Sequence, residues 1–126
     1  MNIESIRDYC LSKKGVTESF PFDETTLVFK VAGKIFALID LEGDLRINLK
    51  CDPLLAVELR EQYHAVIPGY HMNKKHWNTV IIDGSVPVGR IYQWIDDSYE
   101  LVVQKLSQKD KSQMENRSKN TKNKKP

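Results

Sequence analysis

The stretch that decides the fold is TLVFKVAGKIFALIDLEGDLRINLK, residues 26–50. It contains three segments rich in apolar residues, Thr26–Val31, Lys34–Asp40 and Leu45–Lys50. The outer two alternate apolar with other side chains, whereas the middle one is apolar on both faces, as expected for a central strand. Ala32-Gly33 and Glu42-Gly43 separate the segments and are typical of tight turns. Connections this short join antiparallel neighbours, so the stretch predicts a three-stranded antiparallel meander.

Helical patterns flank the meander on both sides. Apolar residues at helical spacing predict a helix over residues 3–13. Asp52-Pro53 supplies a capping carboxylate and a proline at the first helical position, which predicts a helix that runs to about Tyr63. Residues 77–82 predict a further strand, and a last helical stretch starts near Pro87.

The order of these elements indicates the fold class. Within the last helical stretch, Asp97 and Glu100 resemble a capping box, so that stretch is predicted as one helix or as two that break near Asp96. Strands that follow one another, with helices around them, indicate an α+β fold rather than alternating α/β. We predict an antiparallel sheet, the meander plus further strands, packed against N-terminal, middle and C-terminal helices.

Charge divides the chain into two parts. Residues 107–126, SQKDKSQMENRSKNTKNKKP, carry seven basic and two acidic side chains and one sizeable apolar residue, Met114. Such a segment cannot offset its own ordering entropy, so we predict a disordered basic tail. Residues 1–106 are predicted to form a single domain, and they carry twelve basic and fifteen acidic residues. The overall formal charge of +2 therefore describes the tail more than the domain.

Several protein classes are not indicated. No apolar run approaches the roughly 20 residues of a membrane span, and the first residues lack the apolar segment of a signal peptide. Two cysteines, Cys10 and Cys51, are too few for a disulfide scaffold. These observations predict a cytoplasmic protein, expected to be a monomer without membrane contact.

Side chains suited to catalysis or metal binding form no familiar pattern. Cys10 lies on an apolar helix face and Cys51 directly precedes a helix cap, positions typical of structural thiols. His64, His71 and His76 are seven and five residues apart, which differs from the helical spacing of a zinc protease motif. We expect a non-enzymatic protein with no metal and no cofactor; a hydrolase is the weaker alternative.

The most distinctive segment is PGYHMNKKHWNT, residues 68–79, with two histidines, two lysines, two asparagines and two aromatic residues. Through this segment residues 1–106 resemble the MmcQ/YjbR family of small bacterial proteins. Weaker matches are Phe20-Pro21-Phe22, Phe29-Lys30-Val31, Lys34 with Phe36, Leu49-Lys50 and Ser98-Tyr99. The resemblance implies a frataxin-like, double-wing arrangement of sheet and helices, and it implies DNA binding. It carries no catalytic residues, and a shared fold with frataxin does not transfer iron binding.

A DNA-binding surface is predicted from the outward face of the meander and the distinctive segment. Lysine and arginine would neutralise phosphates, asparagine would donate hydrogen bonds, and aromatic rings would stack on bases. The predicted contact residues are Lys30, Arg46, Asn48, Lys50, Tyr70, His71, Asn73, Lys74, Lys75, His76, Trp77 and Asn78. The alternative interpretation is that these are ordinary solvated side chains, with Trp77 filling the edge of the core.

A second function remains open at this point. His71, Trp77 and the loop at residues 20–22 would line an apolar pocket with a few polar groups in a small-ligand or protein-interaction module. The tail would either add nonspecific affinity for nucleic acid or act only as a solubilising extension.

Overall fold

Six antiparallel strands form one sheet. The structure is a computed structural model, and it describes residues 1–69 and 72–114. The strands are β1 (Val16–Ser19), β2 (Thr26–Val31), β3 (Lys34–Asp40), β4 (Arg46–Lys50), β5 (Val66–Pro68) and β6 (Trp77–Ile81). Their order across the sheet is β1-β2-β3-β4-β6-β5, and every neighbouring pair is antiparallel. The α+β prediction is confirmed, although the short β1 and β5 were not individually predicted.

The predicted meander is confirmed as β2, β3 and β4, with β3 inside the sheet. The β2–β3 turn has positive φ at both central residues, 50° at Ala32 and 77° at Gly33. Two positive values define the turn whose twist matches a two-residue hairpin. Phe29 pairs with Ala37 while the next pair is Lys30 with Ile35, so β3 has one extra residue, Phe36.

Three helices pack on the sheet, and side chains cap the N-termini of the first two. They are α1 (Ile3–Leu11), α2 (Pro53–Gln62) and α3 (Val88–Gln104). Asn2 caps α1 in a reciprocal capping box with Ser5, and the carboxylate of Asp52 accepts the first amides of α2. Because α3 is continuous, the predicted alternative of a break near Asp96 is wrong. Within the described part of the chain, no helix is long and apolar enough to cross a membrane.

All three helices cover the same face of the sheet, which we call the inner face. Their buried side chains form one apolar cluster with those of the strands, including Ile6, Phe29, Ile47, Leu59 and Ile95. The hydroxyl of Ser98 on α3 accepts from the Lys50 amide at 2.9 Å and donates to the Phe36 carbonyl at 2.5 Å. This bridge fixes α3 so that its C-terminus lies at the end of the sheet where β4 finishes.

The opposite, outer face carries a second and smaller apolar cluster. Val28, Leu38 and Trp77 are buried there, and Ile35 and Met72 pack against them. Met72 belongs to the loop between β5 and β6, so that loop covers part of the outer face. We call these five residues the outer cluster.

The first part of residues 107–126, which were predicted to be disordered, is helical instead. Residues 108–114 are helical, and Met114 is buried at 8% exposure. Its side chain lies so close to Gly15 that a Cβ atom there would stand 2.5 Å from Met114 Cγ. The one apolar residue of the segment therefore finds a site that glycine leaves open, beside the hydroxyl of Tyr99. Residues 115–126 lie outside the described residues.

Candidate nucleic-acid interface

Two of the predicted cations lie together on the outer face. Lys30 is the next-to-last residue of β2 and Lys50 is the last of β4, with β3 between them. Phe29 and Leu49 belong to the inner cluster, so the alternation of a strand directs Lys30 and Lys50 to the outer face. Two strand spacings separate them, about 10 Å. We call this end of the sheet, where β2 and β4 finish and β3 and β6 begin, the lysine end.

Four more lysines surround this end. Lys34 begins β3, Lys74 and Lys75 lie in the loop before β6, and Lys105 is the C-terminal cap of α3. All four are exposed. No salt bridge joins any of the six lysines to a carboxylate among residues 1–69 and 72–114.

Lys50 is affected by its position at this end. Its pKa lies below the usual value of lysine, first because partial burial disfavours the charged ammonium and second because the charge of Lys105 repels it. The charge of Lys105 is therefore close enough to disfavour the charged form of Lys50. A bound anion would relieve that repulsion.

The opposite end of the sheet is acidic. Six carboxylates lie there, five in loops and turns and one, Asp40, at the end of β3: Asp23, Glu24, Asp40, Glu42, Asp44 and Asp83. Asp23 accepts hydrogen bonds from the amides of Thr25 at 2.9 Å and Thr26 at 2.7 Å, and the former contact lowers its pKa most. The side chain and amide of Ser85 similarly lower the pKa of Asp83. We call this the acidic end.

Arg46 does not join the lysines. It begins β4 whereas Lys50 ends it, and four residues of strand span about 13 Å. Its guanidinium lies 4.0 Å from the carboxylate of Asp44, at the acidic end. The prediction of one patch that contains both Arg46 and Lys50 is wrong, because a shared face does not bring together residues at opposite ends of a strand.

Asn48 faces outward as predicted but has no exposure to solvent. Its amide donates to the Asp40 carboxylate at 3.2 Å, and its oxygen accepts from the Thr79 hydroxyl at 2.5 Å. The prediction of a solvent-facing donor is wrong, since neighbouring strands and their side chains enclose this position.

Trp77 and Asn78 are also removed from the surface. Trp77 is 5% exposed within the outer cluster, as in the alternative interpretation that it fills the core edge. Asn78 points to the inner face, where its amide donates to the Ala56 carbonyl of α2 at 3.3 Å. Neither side chain is available to stack on or donate to a nucleic-acid base in this arrangement.

The loop before β6 holds its lysines in a defined turn. The side-chain oxygen of Asn73 accepts the Lys75 amide at 2.8 Å, an Asx turn. The carbonyl of His76 accepts the Cys51 amide at 2.7 Å, which ties the loop to the end of β4. Asn73 is thus committed to the turn, His76 is half-buried, and Lys74 and Lys75 extend into solvent.

Tyr70 and His71 lie outside the described residues. Their predicted roles, and the predicted ligand pocket beside His71 and Trp77, stay predictions.

Two members of the lysine end, Lys34 and Lys105, were missed by the sequence reasoning. The position of Lys34 could have been predicted from the local sequence, because the tight turn before it places it opposite Val31. The position of Lys105 could not have been predicted from the local sequence, because it depends on the direction in which α3 crosses the sheet.

Neither cysteine has the lowered pKa of a reactive thiol, and the described residues offer no group of metal ligands. Burial raises the pKa of Cys10 to about 12. Burial, followed by the charges of Asp52 and Asp97, raises the pKa of Cys51 to about 11. Both thiols are therefore protonated near neutral pH, which makes them poor nucleophiles. Among the described residues, no three histidine, cysteine or acidic side chains are grouped to hold a metal ion.

Comparison with known proteins gives one consistent family. The family model described as YjbR matches residues 11–101. The uncharacterised protein YjbR of Escherichia coli (strain K12) is 38% identical over 107 residues, which cover 84% of this chain and 91% of that protein. The uncharacterised protein YbdF of Escherichia coli O157:H7 is 37% identical over 112 residues, 88% of this chain and 92% of that protein.

A solved structure shares the fold. The crystal structure of the Deinococcus radiodurans protein DR2400, with a DUF419 domain, has a TM-score of 0.84 and 38% identity, covering 90% of this chain and 87% of that one. A Pseudomonas syringae protein has a TM-score of 0.71 and 30% identity, covering 80% and 98% respectively.

Proposed function

The chain belongs to the YjbR family, and we propose that it is a non-enzymatic protein that binds DNA, as a monomer, through the phosphate backbone. The contact surface is the lysine end of the sheet, formed by Lys30, Lys34, Lys50, Lys74, Lys75 and Lys105. The single observation that carries this proposal is the separation of charge along the sheet.

The separation matters because the folded part of the chain has more acidic than basic residues. A uniform mixture of these charges would repel a polyanion weakly. Lysines within about one Debye length, 8–10 Å, act together on a phosphate backbone, while the six carboxylates of the acidic end stand at the far end of the sheet. Three further carboxylates, Asp52, Asp97 and Glu100, lie near Lys50 but on the helix side of the sheet. The protein would therefore approach DNA in one orientation.

The mode of binding follows from which side chains are exposed. Asn48, Trp77 and Asn78, which were candidates for reading or stacking on bases, are buried. Lysine ammonium groups on phosphates position a protein but carry no sequence information. We therefore propose binding that is independent of sequence and strongly dependent on salt.

The test compares two charge reversals that change the net charge equally. Lys74→Glu with Lys75→Glu alters the lysine end, and Arg46→Glu with Arg90→Glu alters cations outside it. Affinity of the full chain for a fluorescent duplex is measured by anisotropy at several salt concentrations. We expect the lysine pair to lower affinity by about tenfold or more and to reduce the slope of log K against log salt by about 2. The arginine pair should have a much smaller effect.

A further variant separates the domain from its C-terminal segment. It changes the basic residues beyond Met114 to glutamine in the full chain: Arg117, Lys119, Lys122, Lys124 and Lys125. The proposal requires that this variant retains a salt-dependent affinity that Lys74→Glu with Lys75→Glu then abolishes. Equal losses from the lysine and arginine pairs, or binding that disappears with the C-terminal charges alone, would exclude the lysine end as the binding surface.

A further inference from the structure

A cleft between α2 and α3 lies on the helix side of the sheet, away from the outer face. Its inner pocket, of about 20 Å³, has walls of Leu49, Leu59, Val66, Val80 and Trp94. It adjoins a wider outer groove of about 260 Å³. The two spaces share Cys51, Leu55 and Asp97 as lining residues, so they lie side by side with these side chains at their boundary.

Asn78 gives the inner pocket a polar group without a partner. The residue is 3% exposed, and its amide nitrogen donates to the Ala56 carbonyl of α2. Its side-chain oxygen is buried and accepts no hydrogen bond from any described residue. A buried acceptor left unpaired destabilises the fold, and a bound donor would remove that cost. The pocket has room for a group of about the size of one water.

The groove outside this pocket is acidic. Asp52, Asp97 and Glu100 line it, together with Gln104. The carboxylate of Asp52 is used by the first amides of α2, and one oxygen of Asp97 accepts from Gln93 at 2.9 Å. Glu100 is exposed. A cation in the groove would therefore find the full carboxylate of Glu100 and one further oxygen each from Asp52 and Asp97.

The inner pocket, in contrast, does not favour a cation. Its surface is almost entirely apolar, although Lys50 is one of its lining residues. A charged group there would lose its hydration. The inner end of a ligand should thus be a neutral donor, and the positive charge should stay in the groove.

We propose that this cleft binds a small organic cation that has an ammonium group at one end and a neutral hydroxyl or N–H donor at the other. The donor reaches the Asn78 oxygen, the aliphatic chain contacts Leu55 and Leu59, and the ammonium lies between Asp97 and Glu100. An amino alcohol with a short aliphatic chain is the simplest member of this class. The inference does not rest on DNA binding, although Lys50 of the lysine end is also one of the residues that line the inner pocket.

The experiment uses three probes of matched chain length: 5-aminopentan-1-ol, pentylamine and pentan-1-ol. Binding to the full chain is followed by two-dimensional ¹H–¹⁵N NMR, in which the side-chain amide of Asn78 is a direct reporter. We expect the amino alcohol to bind about fivefold more tightly than either single-function probe, with shifts concentrated at residues lining the cleft.

Variants then remove one interaction at a time. Asp97→Asn with Glu100→Gln should reduce amino alcohol affinity to that of pentan-1-ol and leave pentan-1-ol binding unchanged. Asn78→Leu should reduce it to that of pentylamine. Glu58→Gln with Glu61→Gln, two exposed positions on α2 that line neither space, is the control matched in charge and should have no effect.

The surface variants keep the inference testable even if Asn78→Leu fails to fold. Equal affinities for the three probes would overturn it. Shifts scattered over the molecule would also overturn it, as would an amino alcohol affinity that Asp97→Asn with Glu100→Gln leaves unchanged.

Discussion

The two ends of the sheet are built from the same kinds of turns and loops, yet they use their charges differently. At the acidic end, Asp23 and Asp83 accept hydrogen bonds from nearby backbone amides and so stabilise the turns that contain them. At the lysine end, the ammonium groups make no salt bridge with a described carboxylate, and two of them repel each other. Asp23 and Asp83 at the acidic end thus stabilise the fold, whereas the lysines at the other end form no salt bridge within the described residues.

The largest expected effect concerns the platform beneath the lysine end. Trp77 pairs with Lys50 across the sheet and packs against Met72 of the loop that carries Lys74 and Lys75. Trp77→Ala should lower the free energy of unfolding by about 3–5 kcal/mol, because it removes a large buried ring. Urea denaturation measures this loss.

The matched control is Ile81→Ala, at the other end of the same strand. Ile81 is half-buried, so its truncation should cost less than that of Trp77. Equal losses in the free energy of unfolding from the two variants would contradict the larger contribution to stability that we assign to Trp77 and the outer cluster.

The prediction of intermediate size concerns the stability of the fold at acidic pH. The pKa values of Asp23 and Asp83 are lowered in the folded state by the hydrogen bonds that they accept. Their contribution to stability is therefore present above the unfolded pKa of about 3.9 and is lost as the pH falls through the lower folded values. Asp23→Asn with Asp83→Asn should make the free energy of unfolding fall less steeply between about pH 5 and pH 2.

The control for this measurement is Asp8→Asn, an exposed position on α1 whose side chain makes no hydrogen bond with another described residue. It should alter the acid profile of the protein less than the double variant does. A profile equally steep in the double variant and in the parent chain would contradict the structural role assigned to these carboxylates.

The smallest effect concerns the repulsion between two lysines. Lys105→Gln removes one of the two causes that lower the pKa of Lys50, so that pKa should rise; it should stay below the usual value because burial remains. NMR titration of the Lys50 side chain tests this shift. The control is Lys109→Gln, which should leave the Lys50 titration unchanged because Lys109 is not among the causes of that shift. If Lys105→Gln also left the titration unchanged, Lys105 would not belong to the lysine end.

Much of the fold follows from local pattern. The alternation in β2 and β4, the apolar middle strand and the turn at Ala32-Gly33 predicted the meander, because side-chain period and turn chemistry are properties of adjacent residues. The strands β1 and β5 were not individually predicted because each is short. Residues 107–114 were predicted from composition alone, and composition does not reveal that Gly15 leaves a site for Met114.

The candidate site was harder to predict from local sequence pattern than the fold. Alternation correctly assigned Lys30, Lys50 and Asn48 to one face of the sheet, but facing outward did not mean exposure for Asn48. Arg46 shares that face but stands at the acidic end. The frataxin-like, double-wing description, the cytoplasmic location and the roles of Tyr70 and His71 stay predictions.

The sequence by itself determined the α+β class, the meander and which side of each strand faces the helices, because these depend on the spacing of neighbouring side chains. Only the tertiary structure decided which cations share an end of the sheet and which polar residues are enclosed. Strand register, the path of the loop over the outer face and the direction of α3 set those outcomes, and each depends on contacts between residues far apart in the chain.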